Sequence, residues 1–176
     1  MPDAPGLELI AHEVNDRHDG AVTGTSFDHG QAVLIIDASQ VREVLGYLKE
    51  APGQEYDFLS SLHAADYLPA TPRFAVHYEL LNMPRVERLR VKAVIEDPGG
   101  DVLPEIDSVV DLFPGADFPE REVYDFFGIV FRGHPDLRRI LMPEDYVGWP
   151  QRRDFPVGGD PVLFTHNEIS SPRWYE

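Results

Sequence analysis

The sequence predicts an α+β fold: a small mixed or antiparallel sheet packed with helices, followed by an irregular, extended C-terminal arm. Three observations predict it. Phe74, Val76, Tyr78 and Leu80 alternate with Ala75, His77 and Glu79, and Leu89, Val91, Ala93 and Ile95 alternate with Arg90 and Lys92 beyond a short gap. That period of two belongs to paired, half-buried strands. Val41, Val44, Leu45 and Leu48 recur at three and four residues, which places them on one face of a helix. From Ile129 onward, prolines at 135, 143, 150, 156, 161 and 172 forbid long regular elements.

Taken in order, Leu7 to Val14 reads as a short helix, and Asn15, Asp16, Asp19 and Gly20 end it in a polar turn. Val22 to Phe27 and Gln31 to Ile36 flank Asp28, His29 and Gly30, a loop whose glycine can take positive φ, and so form a first hairpin. The second arm is apolar at successive positions and reads as a central strand covered on both faces. Asp37 or Ser39 can cap the helix through Val41 to Leu48, which Pro52 and Gly53 stop. Tyr56 to Leu62 is a further strand. In the second hairpin, a loop over 82–85 sets Glu79 opposite Arg88 and His77 opposite Arg90, so that the stripe of Arg88, Arg90 and Lys92 forms a solvated face.

The turn cluster Asp97 to Asp101 closes this body. We divide the chain into a body over 1–100, a segment of short helices and loop over 101–156, and a tail over 157–176. In the middle segment Asp107 to Leu112 reads as a short helix. A longer one begins at Pro119, with Glu120 and Glu122 at its positive end and Gly128 as its stop. Phe118, Val123, Phe126, Phe127 and Phe131 are assigned to core.

Composition narrows the chemistry. A chain without cysteine holds no thiolate-ligated iron-sulfur cluster, disulfide or thiol nucleophile. A formal charge of −16 disfavours nucleic acid and anionic lipid as partners. The N-terminus lacks a basic start and apolar run, and no apolar stretch approaches the ~20 residues of a membrane span, so we expect a cytoplasmic chain that meets membrane only through partners. The stretch from Pro119 to Pro156 is exceptional. From Pro119 to Arg153 it holds Arg121, Arg132, Arg138, Arg139, Arg152 and Arg153 against six carboxylates, and is neutral there in an acidic chain. Such guanidinium density fits either internal ion pairing or a docking surface for another protein.

The sequence contains neither G-x-x-x-x-G-K-[ST] nor an H-E-x-x-H pair, and no G-x-S-x-G elbow. Glu120, Glu122, Asp125 and His134 form a carboxylate group that could serve a hydrolase. Residues two apart on a helix point to different sides, however, and Arg121 can pair with Asp125 one turn on. No catalytic, cofactor-binding or metal residue is assigned.

Read together, Glu120, Arg121, Glu122, Asp125, Phe126, Phe127, His134, Arg138, Arg139, Ile140 and Leu141 resemble, in order and spacing, the signature of the C subunit of respiratory NADH-quinone oxidoreductase, complex I. The resemblance extends loosely back through the 74–95 hairpin. It implies a small mixed sheet with helices, a C-terminal arm that wraps partners, and no cofactor on this chain. FMN, iron-sulfur clusters and quinone would sit on partner subunits of the peripheral arm. The chain would support electron transfer from NADH to quinone by holding the quinone-site subunit, of the D type, at the cytoplasmic face of the inner membrane. Glu120, Arg121, Glu122, Asp125, His134, Arg138, Arg139, Arg152 and Arg153 become the docking candidates. Two alternatives stay open: the equivalent small subunit of a membrane-bound hydrogenase-type complex, and a free carboxylate-dependent hydrolase.

Overall fold

The computed structural model describes residues 2–156 of the chain, so the tail over 157–176 lies outside the described residues. Helix α1 spans Ala4–Arg17 and is longer at both ends than Leu7 to Val14. Its start is set by Asp3, whose carboxylate accepts from the Gly6 amide at 2.8 Å, and by Pro5, whose missing N–H is harmless in a first turn. Leu7, Ile10, Ala11 and Val14 are the buried stripe.

Strands β1 (Val22–Asp28) and β2 (Gln31–Asp37) form the first hairpin. Because Asp28 pairs with Gln31, the turn is only His29 and Gly30, at φ 53° and 74°. Two successive left-handed residues give the type I′ geometry that matches strand twist. Strand β2 is central as expected, with Ala32, Leu34 and Ile36 buried, but Val33 and Ile35 on its other face are half-buried. The expectation of full cover fails because, among the described residues, no second helical layer lies over this face.

A 3-10 turn over Ala38–Gln40, capped by Asp37 accepting from the Ser39 amide at 2.7 Å, leads into α2 (Val41–Glu50). Val41, Val44, Leu45 and Leu48 are fully buried, as their spacing requires. Strand β3 is Phe58–Asp66, later and longer than expected. Tyr56 is buried ahead of it, its hydroxyl donating to Glu87 at 2.8 Å.

Strands β4 (Phe74–Asn82) and β5 (Glu87–Ile95) make the second hairpin, with a register two residues from the expected one. Glu79 lies opposite Arg90 and His77 opposite Lys92. Asn82 causes the difference. Its side-chain amide donates to the carbonyls of Gln54 and Glu55 at 3.0 Å, and its oxygen accepts from the Arg85 amide at 2.8 Å, which holds it in the ladder and delays the turn to 83–86. A shift of two preserves which face each side chain occupies. That face is drier than expected: His77 is buried and stacks on His63, and Arg90 pairs with Glu79.

The sheet runs β1-β2-β5-β4-β3, with β2 and β5 parallel and every other pair antiparallel, so it is mixed. A second, two-stranded parallel sheet joins β6 (Glu105–Asp107) to β7 (Val130–Arg132), with α3 (Asp117–Phe127) between them in sequence. No helix forms over 107–112. The Ser108 amide continues the ladder to the Arg132 carbonyl at 2.9 Å, and a carboxylate takes the next amide. One core joins α1, α2, the inner sheet face, and Ile106, Val109, Val123, Phe127, Ile129 and Phe131. From 133 to 156 the described arm is irregular, as the prolines predict.

Candidate docking element

Helix α3 carries two buried carboxylates more than a turn apart, and each ties down a different segment. Near its start, Glu120 is fully buried and accepts from the Ser108 hydroxyl at 2.6 Å and the Val109 amide at 2.8 Å. Burial pushes its carboxyl up to about 7, against the opposing pull of those two hydrogen bonds. His134 arrives beside it from the arm. Its Nδ1 accepts from the Asp136 amide at 3.0 Å, so Nε2 carries the proton and donates to the Asp117 carbonyl at 3.1 Å.

Asp125, also fully buried, gathers the arm. One oxygen accepts from the amides of Ile140, Leu141 and Met142 at 3.1, 2.7 and 2.8 Å, and the other from the Arg139 guanidinium at 2.8 Å. Three successive amides on one oxygen form a nest for an anion. Burial alone would raise this carboxyl, but the Met142 amide, Arg139 and the neighbouring amides hold it below the usual carboxylate range.

The arm then completes the end of α3. A helix leaves four carbonyls without partners at its C-terminus. Here the Tyr124 carbonyl accepts from Gly128, that of Asp125 from Arg139 at 2.9 Å, that of Phe126 from the Gln151 amide at 3.1 Å, and that of Phe127 from Arg152 at 2.6 Å. Two of these donors are cations at the negative end of the helix dipole. Trp149 lies between them, 4.5 Å from the Arg139 guanidinium and edge-on to Tyr124. Arg73, bound to Asp66, Asp97 and Asp154 at 2.8 Å each, fixes the described end of the arm to the loop between β3 and β4.

Gly128 takes φ 68°, and a Cβ there would stand 2.4 Å from the Trp149 ring. Gly128→Ala is therefore expected to expel Trp149 and to cost at least ~1 kcal/mol through the left-handed backbone alone. With Trp174→Phe as background, Trp149 becomes the sole tryptophan. A red-shifted emission and a lowered unfolding midpoint are expected; unchanged values of both would contradict this packing.

The nine candidates divide cleanly. Glu120, Asp125, His134, Arg139 and Arg152 point into the chain and hold it together. Arg121 belongs with them, donating to the carbonyls of Arg138 and Arg139 at 3.2 and 3.4 Å, so the expected Arg121–Asp125 pair is replaced by Arg139–Asp125. Glu122, Arg138 and Arg153 are exposed, Arg138 bonding Asp136 at 2.9 Å. Glu120 and Glu122 thus do not converge. Phe118, expected in the core, is 63% exposed because it sits about 200° around the helix from Glu120. Leu141 and Val147 on the arm are 61% and 88% exposed. Sequence reading missed Ser108, Trp149 and the Arg73 cluster, whose partners lie far away along the chain and leave no periodic signal.

Among the described residues no group of three His, Asp or Glu could hold a metal ion, and no helix is long and apolar enough to cross a membrane. What the arrangement performs is mechanical: it closes an irregular arm onto a helix, while Phe118, Leu141, Val147 and Arg138 stay exposed.

The sequence matches the family described as respiratory-chain NADH dehydrogenase, 30 Kd subunit, over residues 34–161. It is 45% identical over 141 residues to the NADH-quinone oxidoreductase C subunit of Herpetosiphon aurantiacus, covering 80% of each chain. It is 37% identical over 168 residues to the corresponding C subunit of Roseiflexus sp. (strain RS-1), covering 96% of this chain and 92% of that one. Among solved structures it resembles a chain of the membrane-bound sulfane sulfur reductase, an archaeal respiratory membrane complex, at TM-score 0.66 and 24% identity, with 85% of each chain covered. That likeness shows the fold alone.

Proposed function

Since the chain belongs to the family of the 30 kDa subunit of respiratory-chain NADH dehydrogenase, the C subunit of NADH-quinone oxidoreductase, we propose that it is a cofactor-free part of the peripheral arm that holds the quinone-site subunit, of the D type, in place. FMN, the iron-sulfur clusters and quinone then reside on partner subunits. The chain meets the membrane indirectly, at its cytoplasmic face, through the assembled complex.

One observation carries this reading. The buried side of α3 and its arm is satisfied within the chain by Asp125 and Arg139, whereas Phe118 on the helix and Arg138, Leu141 and Val147 on the arm are exposed. Exposed aromatic and aliphatic anchors edged by guanidinium groups suit a protein interface. Arg138 and Arg153 are the docking arginines on this reading. Arg139 and Arg152 act by giving the surface its shape, and Glu120, Arg121, Asp125 and His134 keep helix and arm together beneath it. Glu122 lies on the exposed side.

The double variant Phe118→Asp, Arg138→Glu is expected to lower incorporation into the complex by about tenfold, since two central contacts of an interface are worth at least ~1.4 kcal/mol. Incorporation equal to the unaltered chain would sink the proposal. Affinity purification from native membranes separates the hydrogenase-type alternative, because flavin and cluster subunits would copurify in one case and a nickel enzyme in the other.

A further inference from the structure

The face of the five-stranded sheet that looks away from the helices is not flat. A cavity of about 550 Å³ is lined by Ser26, Gln31, Tyr67, His77, Arg90 and Lys92, and a second of about 420 Å³ by Ser61, His63, Glu79 and Arg88. Gln31 and Arg90 border both, so they run together as one trough across the strands.

Its three cations outnumber its two carboxylates, Asp28 and Glu79, the reverse of the balance in the whole chain. With a net charge of −16, the protein nevertheless turns three successive outward residues of β5, Arg88, Arg90 and Lys92, into this trough. Arg90 is matched by Glu79. Lys92 has no carboxylate partner among the described residues, its ammonium resting 4.1 Å over the Tyr67 ring. His77 supplies an independent observation. It is 6% exposed, its Nε2 is matched by the Tyr67 hydroxyl at 3.1 Å, and its Nδ1 has no hydrogen-bond partner among the described residues. A buried polar atom left unmatched is costly, and such atoms in native proteins commonly mark a missing partner. Val33 and Ile35, half-buried at the side of the trough, add apolar area.

We propose that this trough is a second docking surface, the seat of an extended acidic segment from a neighbouring subunit, whose carboxylates meet Lys92 and Arg88 while Arg90 remains with Glu79. The proposal rests on the reading of the chain as part of a larger complex. It concerns a face formed by β2, β4 and β5 rather than the α3 and arm surface. Three cations on a strongly acidic chain are too few to hold a nucleic-acid backbone, which needs a sustained run of basic contacts. For an acidic peptide they provide steering and register.

The test uses the assembled complex. Lys92→Glu and, separately, Arg88→Glu are expected to reduce copurification with the complex by about tenfold at physiological ionic strength, as reversal of an interface charge does, while Lys92→Arg keeps it near the unaltered level. Arg88 is exposed, so its reversal leaves folding intact. A photo-crosslinking residue at Ser61 should join an Asp- and Glu-rich stretch of another subunit. Full copurification of both Glu variants would overturn the proposal, as would a crosslink to residues 157–176 of the same chain, to a second copy, or to nucleic acid. If the unaltered chain itself fails to copurify, the reading under Proposed function falls and takes this proposal with it. If the unaltered chain copurifies and the Glu variants do so equally, only the trough is refuted.

Discussion

Asp125→Ala is expected to free the arm from α3 and to cost about 3–5 kcal/mol, the range for stripping the partner from a buried ion pair. The substitution removes the acceptor of three consecutive amides and leaves Arg139, whose side chain is 11% exposed, without its counter-charge. Against a total stability of about 5–15 kcal/mol, that loss is large. Asp125→Asn should fall between, since an amide keeps one oxygen but turns an N–H group toward other donors. Urea unfolding gives the magnitude, and limited proteolysis within 133–156 shows where the chain has opened. Unaltered unfolding and cleavage in the alanine variant would remove Asp125 from this role. The same group sets an acid limit. Its carboxyl is depressed in the folded chain, so its contribution is complete above the unfolded value and disappears as pH falls through the folded one.

Glu120 works in the opposite sense. Burial raises its carboxyl from 4.5 to about 7, so the folded chain holds a proton that the unfolded chain has released across that interval. Stability therefore declines as pH rises through this window and levels off beyond it, by roughly 3 kcal/mol at about 1.4 kcal/mol per pH unit. Glu120→Gln removes the titration while retaining an oxygen for the Val109 amide. Denaturation at about pH 5, 6, 7 and 8 should show the unaltered chain losing stability relative to the glutamine variant. Parallel profiles for the two would refute the assignment.

Much of the body could be read from the chain because its signals are local. The four apolar positions of α2 are all buried, and the alternation of β4 and β5 assigns each side chain to its correct face. Register is less local: Asn82 moved it through contacts with Gln54 and Glu55, which no period reveals. The signature residues are recognisable by resemblance, but their division into inner and outer sets leaves no mark in the sequence. Arg138 and Arg139 are adjacent and chemically alike, yet one bonds Asp136 at the surface and the other fills the space beside Asp125 and Trp149. The difference arises from the path of an irregular chain, and sequence periodicity says nothing about that path. Helix α3 could be delimited by Pro119 and Gly128, whereas the partners of Glu120 and Asp125 lie 11 to 17 residues away.

The completion of α3 by its own arm has a consequence for order in time. Donors for the last carbonyls of the helix arrive only with Arg139, Gln151 and Arg152, so a ribosome must expose some two dozen residues beyond Phe127 before the helix end is sealed. Until then the nascent chain presents an unfinished helix whose apolar stripe lacks a rigid frame. Helix end and arm should accordingly gain and lose protection from hydrogen exchange as a single cooperative unit, separate from the earlier sheet.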